Sequence, residues 1–445
     1  MNARIDTVSA ERRSFAQALK RRWKPFSRLP LLGWLCAALV AVLLEQLLGT
    51  LLARALGMSK IPALFGLVII LKQPGLIPSA ILYVAIIYLL PLGVVTRLGT
   101  SLVNKIAAGL LNRSVAISAI SHLVLLYAIL HIWADVSAYR GLVARLTMIA
   151  IMLTLSLNVV NGYMGEFSCS HPGFMALGAY GASAFTVLLF VQDNQFGAPL
   201  LPPALGPFLF PISLLIGGGV AALGALLVAI PSFKTRGDYL AIISLAFTFI
   251  VKSLLENLEV VGGPRGLGNQ PDWATLPTVF VWTVACIWII NNFVRSTLGK
   301  ALNAVRDGEL AANAMTVNTS RTKMVAFLFA AFWAGVAGGL FAHVIRYVNP
   351  GTFGITKLAE VLAMVYFGGL NSVVGSIVGA VGFNLLIEAM RPLEIWKWII
   401  IPIMLILVMI FRPSGLIAFR DFDVRRLLQP KREPVKEVEH VAASR

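Results

Sequence analysis

PFLFPISLLIGGGVAALGALLVAI, residues 207 to 230, contains no charged side chain and a single hydroxyl, Ser213. At 1.5 Å per residue a helix of this length extends for about 36 Å, enough to cross a hydrocarbon core of about 30 Å. Working outward, comparable apolar stretches fall near 31–53, 75–95, 115–134, 142–160, 166–191, 238–258, 277–294, 324–345, 357–371, 373–391 and 394–412. A run at 61–71 is too short to span and reads as an interfacial or re-entrant piece. Hydrophobic residues make up 58% of the 445 and charged residues 13%. A water-soluble domain carries about a quarter charged residues. The predicted fold is an all-α polytopic membrane protein with about 12 transmembrane helices (range about 10–13), including broken or re-entrant segments.

The formal net charge of +17 resembles that of a nucleic-acid binder, but its placement excludes that class. Cations gather between the apolar runs and at the ends: Arg12, Arg13, Lys20, Arg21, Arg22 and Lys24 come before the first span, and Arg425, Arg426, Lys431 and Arg432 follow the last. Cationic loops are retained in the cytoplasm, and basic ends favour anionic headgroups of the lipid bilayer. Alternation from a cytoplasmic N-terminus places both ends, Arg97, Lys105, Arg113, Lys234, Arg236 and the segment 295–323 inside. The loops near 192–204, 259–276 and 346–356 then fall outside, whereas Arg140 and Arg145 depart from the pattern. The charged segment before Leu31 is unlike a cleavable signal peptide, so the first span is expected to stay as an anchor. Cys36, Cys169 and Cys286 are isolated and the five histidines are scattered. No catalytic set, metal site, disulfide framework or cofactor is expected from such spacing.

Small residues recur at every fourth position: Gly217, Ala221 and Ala225; Gly335 and Gly339; Gly375 and Gly379. Such faces let helix backbones approach closely, either within one subunit or across a dimer seam. The stretches Gly178 to Ala184 and Gly368 to Gly375 suggest broken or half-length helices, which are tolerated at membrane depth only where they line a cavity or are buried in protein.

Intramembrane charges at a helix centre cost about 2.5–3.5 kcal/mol, so each demands a partner or a role. Glu45, His122, His131, Glu256, Glu360 and Glu388 lie in or near predicted spans. Glu360 reads either as an inter-helix hydrogen-bonding group or as one lining a path. Asn158, Asn161, Tyr163, Glu166, Ser168, Ser170 and His171 are grouped with Gly162, Gly165 and Gly173. Unwound backbone with polar side chains suits a zwitterion in transit; a short cytoplasmic hairpin with ordinary capping residues is the other reading.

The longest polar segment between spans is STLGKALNAVRDGELAANAMTVNTSRTK, Ser296 to Lys323. Thr297 precedes a helix-forming stretch, and Asp307 with Gly308 precedes a second. Glu309 falls in a first turn, where an acid suits the helix dipole. Ala311, Ala312 and Ala314 keep that short helix slim enough to enter a groove. A solvated loop and a helix pair gripped by a soluble motor both fit this composition.

Here the chain resembles the permeases of branched-chain amino-acid ABC transporters, of the Leu/Ile/Val uptake type, from about Leu146 to Ala418. The motifs are SLNVVNGYMGEFSCSHPGFMALGAYGAS (156–183), KTRGDYLAIISLAFTFIVKSLLEN (234–257), GGPRGL (262–267), GKALNAVRDGELAANAM (299–315), HVIRYVNPGTFGITKLAEVLAMVYFGGLNSVVGSIVGA (343–380) and RPSGLIAF (412–419). Three positions depart from the family pattern: Thr316 stands where a glycine is usual, and Cys169-Ser170 replaces an apolar-Gly pair before His171. The family also includes importers of urea, amides and aromatic compounds.

The chain is expected to divide into a basic tail at 1–30, accessory helices at 31–139 that lie largely outside the resemblance, a permease core at 140–412 and a C-terminal tail at 413–445. The resemblance implies an EAA-type coupling loop at 295–323, with Arg306, Asp307, Glu309, Ala311 and Ala312 meeting the motor. The expected partners are a homologous second permease, two cytoplasmic ATP-binding subunits and an external solute-binding protein, in a bacterial inner membrane. The chain has no G-x-x-x-x-G-K-[ST] phosphate loop, so any ATP is hydrolysed by another chain. The expected function is amino-acid import as a non-enzymatic subunit, along a path including Asn158, Asn161, Tyr163, Glu166, Ser168, His171 and Glu360. A self-contained secondary transporter or channel using the intramembrane carboxylates is the alternative.

Overall fold

The computed structural model describes residues 29–58, 74–193, 196–233, 239–412, 415–419 and 422–429. The run at 61–71, the N-terminal tail, Lys234 and Arg236 lie outside the described residues. Contacts divide the chain into two compact units, one of residues up to Val136 together with the segment from Asp423, the other Ser137–Phe422.

The first unit holds α1 (Leu31–Ala55), α2 (Ile77–Arg113) and α3 (Val115–Asp135). Arg97, Lys105 and Arg113, expected in a loop, extend α2 instead, through π turns at Ala85–Leu89 and Val95–Gly99. A cation does not end a helix whose backbone ladder continues; Ser114 ends it, extended and capping α3 through the Ala116 amide at 3.2 Å. Glu45 is buried on α1, where the Tyr83 hydroxyl donates to its Oε1 at 3.3 Å. His122 bonds the Ser118 carbonyl at 2.7 Å, and His131 stacks on Tyr127.

The second unit contains α4 (Ala138–Asn158), α5 (His171–Phe190), α6 (Gly206–Ser232), α7 (Tyr239–Asn257), α8 (Leu276–Arg295), the short α9 (Thr297–Asp307) and α10 (Glu309–Ala314), and α11 (Thr319–Ile345). It ends with α12 (Ile355–Gly368), α13 (Val373–Ala389) and α14 (Lys397–Phe411). The small helix α15 (Val424–Leu428) belongs to the first unit. A two-residue ladder pairs β1 (Leu267–Gly268) antiparallel to β2 (Tyr347–Val348). Among the described residues, nine helices are long and apolar enough to cross a membrane. The last three expected spans, α12 to α14, are shorter.

The core of this unit is a seam between α5, α6 and α11. A Cβ on Gly178 would fall on the backbone of Gly335, and one on Gly217 would stand 2.6 Å from the Gly178 carbonyl oxygen. Helix α5 is unbroken, so the glycines of 178–184 permit close packing and do not interrupt the helix. Within this subunit Gly335 meets Gly217 and Ala221, while Gly339 faces Leu214 of α6 and Ala182 of α5. Dispersion between close backbones holds helices together where lipid supplies no hydrophobic drive. Arg145, anomalous by charge placement, is paired: its Nη1 lies 3.5 Å from Asp272 and donates to the Ala274 carbonyl at 3.3 Å.

Candidate functional site

Helix α4 loses its regular ladder after Asn158. A π turn occupies Val159–Met164, Gly165 takes a left-handed φ of +76°, and irregular chain leads to His171 at the start of α5. Glycine is required at 165 twice over, by its φ and because a Cβ would collide with the Arg306 side chain. Irregular backbone buried in protein needs partners, and neighbouring helices supply them. The Ser244 hydroxyl accepts from the Cys169 amide at 2.9 Å, and the Thr248 hydroxyl donates to the Cys169 carbonyl at 2.8 Å. Asn161 Oδ1 accepts from the Ser168 amide at 3.2 Å, and the Ser168 and Ser170 hydroxyls lie 2.9 Å apart.

A second break faces the first. Between α12 and α13 the chain leaves the helix at Gly369–Ser372, and Ser372 caps α13 through the Gly375 amide at 3.1 Å. Asn158 closes this gap. Its Nδ2 donates to the Ser376 hydroxyl at 2.6 Å and the Ser372 carbonyl at 3.1 Å, and its Oδ1 accepts from the Asn371 amide at 3.0 Å.

The polar segment folds as a helix pair. Ser296, one residue before the expected start, caps α9 through the Gly299 amide at 3.3 Å. At the far end of α10, Val317 N donates to the Ala312 carbonyl and Thr316 N to that of Asn313, both at 3.1 Å. This is a Schellman termination with Thr316 at its left-handed position, φ +66°. The missing family glycine therefore falls where a glycine fits best.

This pair is tied to the unwound segment by charge. Lys323 Nζ, at the start of α11, lies 2.7 Å from Glu166 Oε1 and 2.9 Å from Glu309 Oε2. The lysine side chain is 10% exposed, against 51% for Glu309. Arg306 donates to the Gly162 carbonyl at 3.4 Å, pairs with Asp307 at 2.8 Å and lies 5.6 Å from the Phe419 ring centroid. On α10, Ala312 is buried and Ala311 exposed, while Leu310 and Met315 are 85% and 77% exposed. Apolar side chains so placed beside an acid form a surface suited to a partner.

The family model of the branched-chain amino acid transport system permease component matches residues 139–409. The chain belongs to that family. It is 33% identical over 310 residues to the high-affinity branched-chain amino acid transport system permease protein LivM of Escherichia coli (strain K12), covering 62% of this chain and 69% of the relative. LivM of Salmonella typhimurium matches with the same identity and coverage. No solved structure matches the chain.

In this permease the fold brings Asn161, Glu166 and Ser168 into the unwound segment beside Arg306, Asp307 and Glu309. Asn158 bonds the opposite break. Tyr163 is buried in the π turn, and His171 is buried with its ring edge-on to Phe174 at 5.8 Å. Glu360 does not join them: it pairs with Lys357 at 2.6 Å, eight residues before the end of α12, or about 12 Å along the helix. Sequence reasoning missed Lys323, Ser244 and Thr248. Lys323 closes the polar segment and was legible only as one more cation; Glu309 lies 14 residues before it, but Glu166 is 157 residues away in sequence. Ser244 and Thr248 share a helix face one turn apart, the one signal pointing to them.

Proposed function

We propose that this permease is one of two membrane-spanning subunits of an ATP-driven importer for branched-chain or similar amino acids in a bacterial inner membrane. ATP hydrolysis takes place on separate cytoplasmic subunits, and an external solute-binding protein delivers the ligand. Residues 140–412 are the transport core, with helices 31–139 accessory to it. The two breaks, at 159–170 and 369–372, line the path, with Asn161, Tyr163, Glu166, Ser168 and His171 beside it. Asn158 fixes the two breaks against each other, and Glu360 sits on α12 about two turns before the second break.

One observation carries this reading: Lys323 joins Glu309, on the slim exposed helix pair, to Glu166, in the unwound segment. A pull on α9 and α10 by nucleotide-driven closure of the motor is then felt directly at the irregular backbone. Helix pairs of this kind move as rigid bodies, and charged contacts that re-form transmit the shift. Binding along the path is weak, because a tight site would retain what it must release.

The secondary-transporter reading needs membrane carboxylates available to carry ions. Glu45, Glu360 and Glu388 are engaged instead with Tyr83, Lys357 and Tyr139. Purification of tagged protein from its native membrane tests the assignment. The account expects a second permease-like chain and P-loop ATPases to co-purify; a lone chain moving solute in liposomes without ATP would replace it with the secondary-transporter reading.

A further inference from the structure

The segment after α14 does not simply leave the bundle. Its backbone lies along the broken helix: Leu416 N donates to the Phe367 carbonyl at 3.1 Å, Ile417 N to Gly368 at 2.9 Å and Phe419 N to Leu370 at 3.3 Å. A Cβ on Gly369 would stand 2.6 Å from the Ile417 carbonyl oxygen, so the two backbones touch. The carbonyls freed where α12 ends thus find their donors in this strand-like strap. Buried carbonyls at a helix end need such partners.

The strap ends on the coupling helices. Phe419, with φ +52°, turns its ring to the Arg306 guanidinium, whose Cζ lies 5.6 Å from the ring centroid. Arg306 sits on α9 and also donates to the Gly162 carbonyl in the other break. One arginine therefore touches the first break directly and the second through Phe419 and three backbone hydrogen bonds.

We infer that residues 415–419 are a mechanical strap that carries movement of the α9–α10 pair to the 369–372 break, with Phe419 the positioning residue that couples it to Arg306. This rests on the importer reading. Coupling needs a contiguous chain of packed or hydrogen-bonded groups, and here each link is in place. Movement of α9 then displaces both breaks together, opening or closing the path on two sides in one step.

The test uses the complete transporter with its native partners in proteoliposomes, measuring labelled leucine taken up per ATP hydrolysed for the unaltered chain, Phe419→Leu and Phe419→Tyr. Leucine keeps an apolar side chain but removes the ring; tyrosine keeps the ring. The expected result is a ratio lowered about two- to fivefold in Phe419→Leu, the effect of losing one cation–π contact. Phe419→Tyr should restore it, at equal amounts of assembled complex. A Phe419→Leu ratio equal to that of the unaltered chain overturns the strap, as does a Phe419→Tyr ratio that remains low. Failure of the unaltered complex to couple uptake to ATP refutes the importer reading itself.

Discussion

Glu166, in the irregular chain between α4 and α5, and Lys323, at the foot of α11, form a 2.7 Å ion pair, and the same lysine pairs with Glu309 at 2.9 Å. The lysine is the least exposed of the three, so removing it leaves two carboxylates facing each other in partly dehydrated surroundings. Breaking a charge-assisted contact of this kind costs about 1.5–3 kcal/mol. Lys323→Met should lower ATP-dependent uptake at least about tenfold. Exchanging the charges, as Glu166→Lys with Lys323→Glu, should recover part of the loss; a double-mutant cycle with no interaction energy would show the pair to be incidental.

Glu309→Arg places a second cation beside Lys323. Expression should stay near normal, because Glu309 is half exposed, while ATP hydrolysis continues and uptake falls. Measuring both rates in one preparation distinguishes uncoupling from loss of assembly. Normal ATP-driven uptake by this variant would remove α10 from the coupling path.

Thr316 is a β-branched residue held at φ +66°. The left-handed region costs about 1–2 kcal/mol for such a side chain and little for glycine. Thr316→Gly should raise thermal stability in detergent by about 1 kcal/mol, after the entropy that glycine loses on folding. A lowered midpoint would mean that the threonine side chain contributes contacts outweighing its strain.

Asn158 uses both ends of its amide at the 369–376 break. Asn158→Leu leaves the part-buried Asn371 amide without its acceptor, a penalty of about 1–3 kcal/mol, while the Ser376 hydroxyl keeps its bond to the Ser372 carbonyl at 3.1 Å. The variant should reach the membrane in reduced amount, and the surviving fraction should be uptake-deficient. Full recovery with normal transport would contradict the clamp.

The run of residues 115–134 and helix α3 agree almost to the residue, because an apolar stretch bounded by Arg113 and Ser114 admits one solution in lipid. The break at Gly369 was legible for a related reason: glycine and a capping serine stand together at Gly368 to Ser372. Gly178 carries the same signal and means the opposite, since only its neighbour Gly335, far along the chain, shows that the glycine permits contact. Arg97 to Arg113 misled because charge marks where a chain meets water and not where a helix ends. At the site, the polar residues of 158–171 were visible as a group, but their links were not. The links of Lys323 to Glu166, of Arg306 to Gly162 and of Phe419 to Arg306 join residues that lie far apart in the sequence, and no local pattern encodes such pairs.

The central claim is that this permease moves its ligand only when a partner motor drives it. Labelled leucine uptake into proteoliposomes should be measured with the chain alone and with its co-purified partners, each with and without ATP. The account predicts uptake only in the complete complex with ATP present, and background levels in the other three conditions. ATP-independent uptake by the chain alone, at a rate matching that of the complex, would contradict it.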